Sequence, residues 1–299
     1  MFGLSYWFLP LFSGCVWLGT LLAMLGRWLA IGSPQYTSFN TNQTYPYISD
    51  IGATSWGKPL FIAGSATSVV IFDLAFISER WLRHKGRLTQ NYSISEKILS
   101  GFAIAFALIG AAGLILLTIF DTVRYPRVHV SMLVVFIAAY IISAIFICAE
   151  YQRLGVRYRD QRILAASFWI KLAFIFIELA LAISFGIMSN QSKYNRAAVL
   201  EWVISLIYIF YQWSFIIDFL PATRTRHKSD RYPAPVKRSD DEMAMDTEAG
   251  GNMLGGPVYT AGGTNGAAGA GHAQSAAPAY ANARYAPPPS TTAGSSTNF

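Results

Sequence analysis

Six apolar stretches of about 20 residues constrain this chain more than any other feature; they cover approximately 4–29, 59–77, 98–120, 130–149, 163–187 and 198–220. A helix of that length crosses a hydrocarbon core of ~30 Å. The expected fold is all-α: a polytopic membrane protein with a six-transmembrane-helix bundle over 1–221 and a disordered C-terminal tail over 222–299. Composition fits, because 53% of residues are apolar and only 13% are charged, about half the usual globular share. The first stretch has no basic segment ahead of it and outruns the apolar core of a cleavable signal peptide, so it reads as a retained anchor.

From residue 222 the apolar pattern stops. A basic segment and acidic Asp240-Asp241-Glu242 give way to Gly, Ala, Ser, Thr and Pro through Phe299. Such a segment cannot bury enough surface to offset its ordering entropy. Pro287-Pro288-Pro289 is either a short polyproline turn or plain solvated chain.

The formal charge of +7 does not indicate nucleic acid, because the cations lie in short segments between apolar stretches. There they act as topology signals. Arg80, Arg83, Lys85, Arg87, Lys97, Arg153, Arg157, Arg159, Arg162, Arg224, Arg226, Lys228, Arg231, Lys237 and Arg238 fall on one side of the expected membrane. Lys58, Arg124, Arg127, Lys193 and Arg196, with Arg27 at the end of the first stretch, fall on the other. The excess places both termini in the cytosol and forms a basic belt able to attract anionic inner-leaflet lipids. The sequons at Asn42 and Asn190 then face outward and are N-glycosylation candidates, whereas that at Asn91 faces the cytosol and should stay unmodified. Cys15 and Cys148 fall at different depths, so no disulfide is expected, and Cys148 reads as a buried thiol or a palmitoylation site.

No phosphate loop, dinucleotide fingerprint, paired-cysteine motif or HExxH stands in the chain. His129 is the only histidine on the outer side and His84 the only one in an inner loop, too few for a zinc centre at one depth. Ser68, Ser100 and Ser205 lack a histidine at their own depth and are expected to bond backbone carbonyls. The expectation is a non-enzymatic protein with no cofactor and no metal.

Asp73, Lys171 and Glu178 lie inside the apolar stretches and need partners. Asp73 and Lys171 both fall ~10 Å from the inner face at 1.5 Å per residue, deep enough to pair. The alternative is that Lys171 reaches the headgroups while Asp73 takes bonds from hydroxyls. Glu178, on the same helix face as Lys171, either lines a polar cavity or bonds a neighbouring helix. Ala103, Ala107, Gly110 and Ala111 form a small-residue stripe suited to close helix packing.

The most distinctive segment is Tyr45-Pro46-Tyr47-Ile48-Ser49-Asp50-Ile51-Gly52, just ahead of the second stretch. Pro46 fixes φ, Ser49 and Asp50 can bond nearby backbone, and Gly52 permits a turn. Asp50, Asp121, His129 and Glu201 all fall at the outer face, where they either contact a lipid headgroup or bond one another to hold the loop. Pro46, Tyr47, Ile48, Ser49, Asp50 and Gly52 resemble the signature of the DRAM/FRAG/SFK family of six-helix membrane proteins. His129, Glu201-Trp202 and Asp218-Phe219 are similar to further family features, and the likeness covers about 1–221. The long tail and unbroken motif look most like the fungal SFK-type branch. That resemblance implies a plasma-membrane protein that supports phosphatidylinositol 4-kinase recruitment and organises phospholipids and sterol across the bilayer. Other branches act in autophagy at vacuolar or lysosomal membranes or in GPI-anchor remodelling in the secretory pathway.

Overall fold

The structure is a computed structural model that describes residues 5–91, 93–157, 162–225 and 232. Each apolar stretch is a helix: α1 (Phe8–Ala30), α3 (Gly57–His84), α4 (Ile94–Ile119), α5 (Pro126–Arg157), α6 (Arg162–Asn190) and α7 (Tyr194–Arg224). All six are long and apolar enough to cross a membrane. A one-turn helix, α2 (Ile48–Gly52), lies between α1 and α3. The tail from 233 onward, with Pro287-Pro288-Pro289, and the cations Arg159, Arg226, Lys228, Arg231, Lys237 and Arg238 lie outside the described residues.

Local chemistry sets the helix starts. Pro10, Pro59 and Pro126 occupy first turns of α1, α3 and α5, where a missing N–H costs no bond. The Ser93 hydroxyl accepts from the Glu96 N–H at 3.2 Å and Glu96 accepts from the Ser93 N–H at 3.3 Å, a reciprocal cap on α4. Helix ends differ from expectation. Because α3 continues to His84, Arg80 and Arg83 are helical rather than loop residues, and α7 runs past Pro221 to Arg224.

Each long helix packs on its chain neighbours, and α7 closes back on α1, which makes a six-membered ring. Within that ring α3 stands opposite α6. Aromatic side chains fill the middle: the Phe72 ring meets those of Phe76, Tyr208, Tyr211 and Phe215 at centroid distances of 4.7 to 6.2 Å. The closest pair is α4 with α5. Ala103, Ala107, Gly110 and Ala111 are all buried; a Cβ at Gly110 would stand 2.4 Å from the Tyr140 ring of α5, and the Ser143 hydroxyl donates to the Ala103 carbonyl at 2.7 Å. Ser68 does bond backbone, donating across helices to the Ser13 carbonyl at 3.1 Å.

The exception to tight packing is α6. Its buried residues are Leu164, Ser167, Lys171 and Ile175, all in its first half. Beyond Ile175 the helix stands at the edge of the ring, with Phe176, Ile183 and Ile187 exposed as lipid-facing apolar groups. One end of the bundle carries the α1–α3 segment, the α4–α5 corner and the α6–α7 turn and is called the motif end below. The opposite, basic end carries the α3–α4 and α5–α6 connections. Cys148 is buried, Cys15 is exposed, and neither forms a disulfide.

Candidate functional site

At the motif end the distinctive segment folds into α2 and is fastened to α7. Asp50 is buried and accepts from the Tyr47 N–H at 2.9 Å and from Gln43 Nε2 at 2.8 Å. Glu201 accepts from the Ile48 N–H at 2.8 Å, and Trp202 Nε1 donates to the Pro46 carbonyl at 2.9 Å. Asn195 Oδ1 accepts from the N–H groups of Thr44 and Tyr45 at 2.6 and 3.0 Å. The motif is thus read by α7 through its backbone, which explains why side-chain donors and acceptors recur near residue 200. Tyr45 is exposed, whereas the Tyr47 ring turns inward edge-on to Phe185 of α6, 6.4 Å away. Burial, with the charges of Glu201 and Asp50, raises the Tyr47 hydroxyl far above the ordinary tyrosine range.

Gly52 lies in the turn that ends α2, where the Thr54 N–H donates to the Ile51 carbonyl at 3.1 Å, but that turn does not call on glycine's left-handed conformation. Its φ is not positive, and a Cβ there would stand 2.4 Å from the Phe61 ring, so what it provides is close approach between α2 and α3.

The four outer-face residues divide into two groups. Asp50 and Glu201 meet around Tyr47 and Ile48. Asp121 and His129 hold the α4–α5 corner instead. Lys58 Nζ donates to Asp121 Oδ2 at 2.7 Å, and the Arg124 N–H donates to Oδ1 at 2.7 Å. Burial alone would raise the Asp121 carboxyl, but the Lys58 and Arg124 hydrogen bonds and charges outweigh it and hold it below its usual value. His129 Nδ1 lies 2.8 Å from the Leu117 carbonyl and 3.0 Å from that of Phe120. Since carbonyls only accept, Nδ1 carries the proton and donates.

Inside the bundle the expected Asp73–Lys171 pair does not form. Lys171 is 1% exposed and its Nζ donates to Asp218 on α7 and to Ser167. The reason is the ring: Asp73 on α3 and Lys171 on α6 stand on opposite sides with the aromatic core between them. Nor does Lys171 reach toward headgroups. Asp73 takes the Tyr140 hydroxyl at 3.4 Å, as the alternative reading held.

Sequence reasoning missed a second buried network near the basic end. Arg83 donates to Glu79 at 2.6 Å and lies 3.9 Å from Glu150, while the Tyr151 hydroxyl donates to Glu79 at 2.6 Å. Asn91 Nδ2 donates to Glu150 at 2.7 Å, so the side chain of that sequon is occupied inside the fold. The i, i+4 spacing of Glu79 and Arg83 was the available signal.

Glu178 lines a cavity of ≈ 120 Å³ walled mainly by α5, α6 and α7, with Trp17, Phe61, Leu114 and Leu117 contributed by α1, α3 and α4 and with Ile48 and Glu201 at its motif end. Its Oε1 is buried and has no hydrogen-bond partner among the described residues.

Comparison with known proteins places these features in a lineage. The model of a family described as the Frag1/DRAM/Sfk1/Cwh43P N-terminal domain matches residues 5–222. The chain is 28% identical over 221 residues to Protein sfk1 of Schizosaccharomyces pombe, covering 74% of this chain and 65% of that protein. It is 30% identical over 177 residues to Protein SFK1 of Saccharomyces cerevisiae, covering 50% of each. The chain therefore spans less than two thirds of either relative's length. No solved structure matches.

Proposed function

The chain belongs to the Frag1/DRAM/Sfk1/Cwh43P N-terminal domain family, and from that premise we propose that it is a non-enzymatic plasma-membrane regulator. It organises phospholipid and sterol and supports recruitment of a cytosolic phosphatidylinositol 4-kinase complex. Both termini then face the cytosol. The resemblance to the two yeast proteins supports the lineage, and the observation that carries the reading is the excess, along the sequence, of Lys and Arg in the segments that join α3 to α4 and α5 to α6 and that follow α7. Lys85, Lys97, Arg153, Arg162 and Arg224 are exposed at the basic end. Such a belt attracts anionic inner-leaflet lipid by about 1 kcal/mol per favourably placed charge.

The motif end supports the non-enzymatic part. Asp50, Glu201, Asp121 and His129 each spend a hydrogen bond on holding a loop or corner in place. An acid or base for lipid ester chemistry would have to leave those partners.

The test is location of the tagged protein in living cells, followed by phosphoinositide and exposed-aminophospholipid measurements in a deletion strain. Surface localisation with lowered phosphatidylinositol 4-phosphate and altered lipid exposure is expected. Normal values for both lipids overturn the reading.

A further inference from the structure

We propose that the cavity lined by Glu178 binds a single phosphate-free lipid whose head donates a hydrogen bond, with the Glu178 carboxyl as the receiving group. The inference rests on the preceding reading in taking a lipid as the ligand. Its test is binding to purified protein, so it stands or fails separately from any localisation or kinase phenotype.

Shape comes first. The second half of α6 has no buried residue, so the ring is loosest along that stretch of α6. The cavity left is ≈ 120 Å³ and is lined by Phe136, Ile141, Phe174 and Phe185. On the scale where one water needs ~10–15 Å³, that is room for roughly eight to twelve waters. Most of the lining is apolar and holds water poorly, and the neighbouring solvent is hydrocarbon.

The polar groups then select the head. A buried acceptor without a partner is costly, and Glu178 Oε1 is one. A donor on the ligand satisfies it. Glu201, a second carboxyl, lines the motif end of the same cavity, and no Lys, Arg or His is among the described lining residues. A phosphate there would face two acids and no cation to bond it. The head is therefore a hydroxyl or an amine. Glu178 stands twelve residues from the end of α6 at Asn190, about 18 Å along the helix. At that depth the head must be compact. The roof is the motif segment itself, because Ile48 lines the cavity and the Tyr47 ring meets Phe185 at 6.4 Å.

The experiment uses the full chain in phosphatidylcholine nanodiscs and three photoactivatable probes with one common hydrocarbon chain, ending in a hydroxyl, an amine or a phosphocholine. The hydroxyl or the amine probe should label α5, α6 or α7 peptides saturably. Glu178→Leu should cut that labelling about tenfold, the size of one hydrogen bond at the upper end of the usual range. Ala182→Trp, which fills the cavity from its α6 wall, should abolish it. Glu178→Gln separates the two sources, since an amide still accepts from a hydroxyl but no longer pairs with an ammonium. Equal labelling by the phosphocholine probe, no saturable labelling, or labelling unchanged in both Glu178→Leu and Ala182→Trp overturns the proposal. Thermal midpoints of the variants check folding, and should Glu178→Leu fail to fold, Ala182→Trp decides.

Discussion

Lys171 on α6 and Asp218 on α7 meet at 2.5 Å with side chains only 1% and 2% exposed. The Lys171 ammonium also sits over the rings of Phe215 and Tyr151, 4.2 and 4.7 Å from their centroids. This pair fixes the register of the peripheral helix against the one that closes the ring, at the half of α6 that does pack.

Breaking the pair from one side leaves an uncompensated charge. Lys171→Met alone is expected to cost about 3–5 kcal/mol, and the double variant Lys171→Met with Asp218→Leu to recover most of that loss. Thermal unfolding in detergent micelles measures both. Asp73→Asn combined with Lys171→Met should show additive losses, because the two residues share no partner. A coupling above about 1 kcal/mol would contradict the ring arrangement.

Arg83 neutralises two acids at once. Arg83→Met strands Glu79 and Glu150 and is expected to lower stability by about 3–5 kcal/mol, whereas Arg80→Met, half-buried in the same helix, should cost much less. Tyr151→Phe removes only the hydroxyl bond to Glu79 and should cost about 1.5–3 kcal/mol.

Close approach of α4 and α5 depends on glycine. A Cβ at Gly113 would lie 2.9 Å from the Phe136 backbone nitrogen, so Gly113→Ala forces the helices apart, at about 1–3 kcal/mol. Gly101→Ala meets nothing within 4 Å and should instead stabilise by about 0.5–1 kcal/mol through helix propensity. Opposite signs in one melting experiment test the packing.

The Lys58–Asp121 bridge gives the motif end a pH dependence. Asp121 is held below its ordinary value of 3.8, so its contribution is complete above that value and is lost as pH falls through the lower folded value. The melting temperature of the native chain should therefore fall more steeply below about pH 4 than that of Asp121→Asn. Parallel curves would remove the bridge from the account.

The orientation is open to a gel-shift assay. Asn42 is exposed with a φ of 65° at the motif end, whereas Asn91 is buried against Glu150 at the other. Glycosidase treatment should change the mobility of the native chain, and Asn42→Gln with Asn190→Gln should abolish the change. Asn91→Gln should leave it intact. A shift that depends on Asn91 would invert the topology.

Chain order and hydropathy were enough to determine the six helices, because in lipid an apolar stretch of about 20 residues has helix as its available spanning form. Helix ends were less legible. Glu79 and Arg83 extend α3 well past its apolar stretch by bonding each other, which a hydropathy boundary counts as loop. The motif segment was visible as unusual, and so was its place among similar proteins, but its fastening to Glu201 and Trp202 was not. Those contacts join positions about 150 residues apart, and no local pattern encodes them. The same holds for Lys171. Depth pointed to Asp73 and passed over Asp218, which lies near the end of its apolar stretch, and only the closure of the ring, with aromatics between α3 and α6, put Asp218 within reach. The loosening of α6 beyond Ile175 is likewise a tertiary fact, since its second half is as apolar as its first. Sequence thus determined which segments enter the membrane, and packing decided which buried charges were satisfied and left Glu178 facing the cavity.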